Sequence, residues 1–324
     1  MTAATLVSAP PTPRIPAAVS KHFGLVTVLL VTCAFLAVQT DVFATGPNLV
    51  NVLRQVAVIA VLAAGLTTLM ASGGLDFSLG SQVAVVVAVV AKLIDAGSSV
   101  LVASVGGILL GALFGLVNGL VITYFKVAPF VTTLATATIL DGVALITMHG
   151  QSISISGGLS WLGTGEIAGI PYLLIIAIAV CAGAGVLLRW TRFGRDALAI
   201  GGNSVAARLA GIPVVRHTVA LYVLNGVLAG VAGIMLLSRL GAASPGTAGL
   251  YLELTVVAAV VIGGTALHGG SATVVGTVLG VLLLGVVANG INLLQIDSFY
   301  HPVSVGAVLL VAAIANRFRH RESH

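Results

Sequence analysis

The chain has 324 residues, of which 58% are hydrophobic and only 7% charged, with a formal net charge of +5. A soluble domain carries roughly 25% charged residues, so this composition excludes one. Continuously apolar runs also disfavour a membrane β-barrel, whose strands alternate apolar and polar residues over ~10 positions, and point to helices that satisfy their own backbone.

The first 22 residues contain four prolines together with Arg14 and Lys21 and read as a short disordered cytoplasmic tail. The apolar run from Phe23 has no clear small-residue cleavage site, so it is the first span rather than a signal peptide. Further apolar runs follow near residues 51–71, 81–94, 99–123, 129–148, 170–189, 217–238, 252–267, 272–294 and 300–316, after a first near 23–40. The stretches between Lys21 and Asp41, Arg54 and Asp76, and Glu166 and Arg189 each enclose about 20 uncharged residues, enough helix to cross ~30 Å of hydrocarbon. The fold class is therefore all-α, a polytopic membrane protein with about ten transmembrane helices.

An even number of spans puts both termini on one side. With the termini cytoplasmic, Arg14, Lys21, Lys126, Arg189, Arg192, Arg195, Arg208, Arg216, Arg317, Arg319 and Arg321 face inward and only Arg54, Lys92 and Arg239 outward, as the positive-inside rule demands. Basic loops beside an anionic inner leaflet account for the net charge without nucleic acid. The expected organisation is a tail at 1–22, a transmembrane domain at 23–316 with a cytoplasmic loop at 190–216, and a second tail at 317–324. Cys33 and Cys181 lie within apolar runs and behave as small apolar side chains.

Glycines at four-residue spacing, Gly107, Gly111 and Gly115 on one helix face and Gly226 and Gly230 on another, allow helices to approach closely. The two readings are packing within one bundle and a seam between two copies. The segment 72–81 interrupts the apolar pattern. Gly73 and Gly74 free the backbone to leave the helix, and Asp76 with Ser78 is suited to capping a new helix start near Gly80; direct contact with a solute or ion is the other reading. A weak likeness links Gly73-Gly74 through Gly80-Ser81 to Gly263-Gly264 through Gly270-Ser271.

The longest hydrophilic stretch, 189–217, contains a short helix outside the membrane. Asn203 is its N-cap, Ser204 opens it, Gly211 closes it and Pro213 prevents continuation. Ala206 and Ala207 give it a narrow side able to enter a groove on another protein, while Arg208 can reach a carboxylate. Asp141 lies mid-span, where a carboxylate costs roughly 2.5–3.5 kcal/mol, offset by about seven strongly apolar neighbours. It reads as a bundle-interior acid, a pathway residue or an ion site. Asn118, Thr132 and Asn289, with Asp141, are the candidates to line a solute pathway, although such asparagines also tie helices together.

No glycine-rich loop closes in Gly-Lys-Ser or Gly-Lys-Thr, because none of Lys21, Lys92 and Lys126 follows a glycine. The seven histidines show no metal-ligand pairing, and Asp141 lacks the second acid of a hydrolytic pair. The chain reads as a passage, not an enzyme, with no cofactor of its own.

At these segments the sequence resembles the permease subunits of ribose-type (simple-sugar) ABC importers, over nearly the whole chain. The matching motifs are Gly73-Gly74-Leu75-Asp76-Phe77-Ser78-Leu79-Gly80-Ser81, Asn118-Gly119, Val127-Ala128-Pro129-Phe130-Val131-Thr132-Thr133-Leu134, Thr191-Arg192-Phe193-Gly194-Arg195, Ala199-Ile200-Gly201-Gly202-Asn203, Ala206-Ala207-Arg208, Gly211-Ile212 and Ala258-Ala259-Val260-Val261-Ile262-Gly263-Gly264-Thr265. Thr255 departs from the pattern, in which an acid often stands two residues after the glutamate that is Glu253 here. The resemblance implies a second permease copy or sister permease, a cytoplasmic ATPase with two nucleotide-binding domains that binds the ATP, an extracytoplasmic sugar-binding protein, and a coupling role for the 203–211 helix. Branched-chain amino-acid permeases and ion-coupled secondary transporters are the competing readings. Aromatic residues make up only 5% of the chain, too few for a high-affinity sugar pocket, so a low intrinsic affinity is expected.

Overall fold

The computed structural model of the protein describes residues 17–155, 158–297, 299–300, 302–307 and 310. Residues 1–16 of the tail expected at 1–22 and all of that expected at 317–324, with Arg14, Arg317, Arg319 and Arg321, lie outside the described residues, as does most of the run expected at 300–316.

The chain is an all-α polytopic membrane protein. Its elements are α1 (Ala17–Gln39), α2 (Gly46–Ala71), α3 (Leu79–Asp95), α4 (Val100–Tyr124), α5 (Pro129–Met148), β1 (Ile153–Ser154), α6 (Ser160–Thr164), β2 (Glu166–Ile167), β3 (Ile170–Pro171), α7 (Tyr172–Trp190), α8 (Arg192–Gly202), α9 (Ser204–Leu209), α10 (Val214–Leu240), β4 (Ala242–Ala243), α11 (Leu250–Ile262) and α12 (Val274–Leu293). The first helix starts at Ala17, inside the stretch expected to be a disordered tail. Among the described residues seven helices are long and apolar enough to cross a membrane: α1 from His22, α2, α4, α5, α7, α10 and α12.

Two of the expected spans are shorter than a membrane. At 1.5 Å per residue, the 17 residues of α3 and the 13 of α11 extend ~26 and ~20 Å, against ~30 Å of hydrocarbon. Each follows a stretch without helix, 72–78 before α3 and 244–249 before α11. The starts of the two helices meet inside the bundle, where a Cβ on Gly80 would fall on the Gly249 carbonyl oxygen. Backbone without helix is tolerated at membrane depth only where protein encloses it, and both Gly80 and Gly249 are buried.

The centre of the bundle is α2 and α10, each buried over most of its length. Both have small residues on the contact faces. The two glycine stripes read from the sequence face each other within one chain: a Cβ on Gly111 would meet the Gly226 carbonyl oxygen, one on Gly226 the Gly111 carbonyl oxygen, and one on Gly115 the Tyr222 carbonyl oxygen. Packing within the bundle is thus their role, with α4 and α10 in direct backbone contact. A reciprocal amide pair joins α2 to α12, Asn48 Nδ2 donating to Asn289 Oδ1 at 3.1 Å and Asn289 Nδ2 to Asn48 Oδ1 at 2.9 Å.

Contacts define the two ends of the bundle. At one, β1 and β4 pair antiparallel with Ile153 opposite Ala243 and Ser154 opposite Ala242. At this end Arg54, near the start of α2, donates to Glu166 Oε1 at 2.8 Å and to the Thr164 carbonyl at 2.7 Å, and Lys92 near the end of α3 reaches the Thr147 carbonyl at 3.3 Å. At the other lie the end of α2, the α8–α9 pair and the connection from α11 to α12.

Candidate functional site

The glycine pair after α2 does what its residue types suggest. Gly73 adopts φ +82°, and its amide closes the helix on the Met70 carbonyl. The chain then runs through Leu75, Asp76 and Phe77 into α3. Asp76 is 1% exposed, and each of its carboxylate oxygens accepts two hydrogen bonds. Oδ1 takes the Ser78 amide at 2.9 Å and the Ser78 hydroxyl at 2.5 Å; Oδ2 takes Asn225 Nδ2 at 3.0 Å and Gln82 Nε2 at 3.3 Å. Asp76 thus binds the Ser78 amide just ahead of α3, not an amide of that helix's first turn, and ties the entrance to α10.

The network extends further. Ser78 Oγ accepts from Gln82 Nε2 at 2.8 Å and Asn118 Nδ2 at 2.9 Å, and Asn118 Oδ1 accepts from the Thr136 hydroxyl at 2.7 Å. Tyr222 donates to the Leu75 carbonyl at 2.8 Å. One polar cluster therefore fastens the broken segment to α4, α5 and α10. Asn225, an in-span asparagine of the kind that ties helices together, belongs to it with Gln82, Thr136 and Tyr222; for these three, hydrophilic atoms inside apolar helices were the available signal, but not which partners they meet.

At the opposite side of Gly73 three backbones converge. A Cβ on Gly201, the penultimate residue of α8, would fall on the Ala71 carbonyl oxygen and the Gly270 nitrogen; one on Gly269 would lie 2.6 Å from the Gly73 nitrogen and 2.7 Å from the Gly201 Cα. The Gly270 amide donates to the Ala71 carbonyl at 3.0 Å. This clasp joins the two glycine-rich segments whose likeness the sequence displayed to the helix that precedes α9.

The short helix α9 forms as its caps dictate. Asn203 Oδ1 accepts from the Val205 amide at 3.0 Å and the Ala206 amide at 2.9 Å. Gly211, at φ +86°, ends it by donating to the Arg208 carbonyl at 3.0 Å, while the Ile212 amide reaches the Ala207 carbonyl at 3.1 Å. Upstream, Thr191 caps α8 by accepting from the Gly194 amide at 3.1 Å, and Phe193 stacks on His217 with ring centroids 4.1 Å apart. The expectation for the alanines needs correction: Ala207 is 5% exposed, turned toward its own chain, whereas Ser204, Val205, Ala206, Arg208 and Leu209 face out. Val205 and Leu209, 68% and 85% exposed, form the apolar part of that face.

The four candidate pathway residues do not come together. Asn118 is held in the Asp76 cluster and Asn289 in its pair with Asn48. Thr132 is buried, its hydroxyl without a hydrogen-bond partner among the described residues. Asp141 borders a cavity of about 310 Å³ between α3, α5 and the residues that lead into α11.

A family described as the permease component of branched-chain amino acid transport systems matches residues 48–313. The chain belongs to that family. It is the permease component of a transport system and a multi-pass protein of the bacterial cytoplasmic membrane. It is 41% identical to the ribose import permease protein RbsC of Bacillus subtilis over 92% of this chain and 94% of the relative. It is 38% identical to the L-arabinose ABC transporter permease protein AraH of Azospirillum brasilense over 92% and 88% of the two chains, and 37% identical to RbsC of Escherichia coli over 89% and 91%. No solved structure matches the chain.

Proposed function

We propose that this permease is the membrane-spanning subunit of an ATP-binding-cassette importer for a small sugar, a ribose- or arabinose-like monosaccharide. The observation that carries this is its similarity, end to end, to relatives named for ribose and arabinose. An amino-acid substrate is not favoured, despite the family's description, because those relatives are sugar permeases. In this reading about ten segments cross or enter the membrane, both termini are cytoplasmic, and the 23–316 permease domain is flanked by short tails at 1–22 and 317–324.

A cytoplasmic ATPase with two nucleotide-binding domains supplies the energy, an extracytoplasmic binding protein delivers the sugar, and a second permease copy or a sister permease completes the pathway. The 190–216 loop is the contact with the ATPase. Asn203 and Gly211 fix the ends of α9, Ser204, Val205, Ala206, Arg208 and Leu209 present the docking face, and Ala207 seats the helix on its own chain. Closure of the ATPase pushes α9; α8 carries the displacement to Gly201 and so, through the clasp, to Gly73 and Gly74 and to the Asp76, Ser78 and Gly80 segment that opens α3. The polar cluster makes this segment move with α4, α5 and α10 rather than unravel.

Uptake of radiolabelled D-ribose and L-arabinose into proteoliposomes that contain the chain with its ATPase and binding protein tests the reading. Uptake should require ATP inside and binding protein outside. Uptake that survives without the ATPase and follows a proton gradient would establish the secondary-transporter alternative instead.

A further inference from the structure

The cavity beside Asp141 has features that no role so far described uses. Its walls are mostly apolar, with Ala84 and Val87 from α3 and Met148 from α5, and its far side is the segment that carries Thr247 and Gly249. The volume of about 310 Å³ is at the lower end of the ~300–1,000 Å³ usual for small-molecule sites. Asp141 lies in the half of α5 that runs toward the β1–β4 pair, seven residues or ~10 Å of helix from Met148.

Asp141 is half-buried, yet among the described residues its carboxylate has no hydrogen-bond or ion-pair partner. Acids inside spans normally pair with a neighbour or face a watery route. The adjoining backbone comes close without a side chain: Gly249 stands at φ +111°, and a Cβ there would touch Asp141 Oδ1 at 3.5 Å. Thr247 is engaged within its own turn, its hydroxyl donating to the Ser244 carbonyl at 2.7 Å. The acceptors of Asp141 are thus free for something that enters.

We infer that this cavity is a sugar subsite in which Asp141 accepts hydrogen bonds from two neighbouring hydroxyls of a neutral monosaccharide while the apolar walls face its C–H surface. The inference rests on the sugar-importer reading above. A carboxylate is acceptor-only and can take two donors side by side. No basic side chain lines the cavity, so a zwitterionic amino acid would leave its own carboxylate unpaired beside Asp141. The single anchoring group makes this a weak transit site near the mouth of the permease.

The test uses the complete complex in proteoliposomes with D-ribose and L-arabinose as probes. Asp141→Leu and Asp141→Ala should lower uptake about tenfold or more, while Asp141→Asn, whose amide oxygen still accepts, stays within about threefold of the unaltered chain. A residue with a packing role only would tolerate Leu at least as well as Asn, so the opposite order overturns the subsite. All three variants should still insert and co-purify with the ATPase, since each removes an unpaired charge. In a chain with Cys33→Ser and Cys181→Ser, Asp141→Cys should react with a small impermeant thiol reagent and be slowed by ribose in the 0.1 M range; no reaction overturns the proposal. Uptake that collapses in sodium-free medium and is lost equally in Asp141→Asn would make this a cation site instead. If the unaltered complex moves neither sugar, the sugar-importer reading itself fails, whereas normal uptake by Asp141→Leu removes the subsite alone.

Discussion

Gly201 stands backbone to backbone with Gly269: a Cβ on Gly269 would lie 2.7 Å from the Gly201 Cα, with the Gly73 nitrogen equally near at 2.6 Å. Three segments far apart in sequence touch there with no side chain between them. Because backbone atoms cannot rotate away as side chains can, a displacement of α8 must be shared by the other two.

Gly201→Val therefore separates docking from transport. The variant should still co-purify with the ATPase, because α9 is unchanged, but lose most of its uptake, about tenfold or more. Loss of ATPase stimulation by the loaded binding protein at normal basal hydrolysis is the accompanying sign. Wild-type uptake by this variant would show that the clasp carries no motion.

On α9 the two faces predict opposite phenotypes. Leu209→Glu places a charge on the outward apolar patch and should weaken association with the ATPase while leaving the isolated permease as stable as before. Ala207→Glu forces a carboxylate into the buried side of α9 and should lower the permease's own Tm. Co-purification and thermal unfolding in detergent, measured on both variants, distinguish the faces.

Asp76 receives donors only, from Ser78, Gln82 and Asn225. Asn225→Leu removes one bond to a carboxylate, a loss of about 1.5–3 kcal/mol. Asp76→Asn should also destabilise, because its amide group sets N–H donors opposite the donors of Asn225 and Gln82. Both changes should appear as a lower Tm; an unchanged Tm for Asp76→Asn contradicts the acceptor-only geometry.

Gly111→Val thrusts its side chain onto the Gly226 carbonyl and must part α4 from α10, at a cost of about 1–3 kcal/mol. Gly183→Ala on α7, with nothing within 4 Å of the new methyl group, is the control. It should be neutral or stabilising, since alanine is the better helix former by up to about 1 kcal/mol.

Binding of D-ribose or L-arabinose to the purified permease alone should be millimolar or weaker, because one carboxylate and apolar walls supply few anchoring groups. Calorimetry that returned a micromolar Kd would contradict both the sparse pathway and the division of labour with a binding protein.

Local, one-dimensional physics made part of this protein legible in its sequence. Apolar runs of about 20 residues have to be membrane helices, and the Asn203 and Gly211 caps hold because each bonds a neighbour only two or three residues away. Glycines at four-residue spacing announced close helix packing. What the chain could not declare is which surfaces meet. That Gly111 faces Gly226, that Asn289 answers Asn48, that Ala207 turns inward and that Asp141 is left without a partner are decided by contacts between segments remote in sequence. The brevity of α3 and α11 belongs here too, since a helix can begin deep in the membrane only once neighbouring helices shelter the unpaired backbone before it. Hydrophobicity and capping act along the chain, but the pairing of buried polar groups depends on where the folded helices bring them, and so tertiary structure decided which of these groups find partners and which, like Asp141, do not among the described residues.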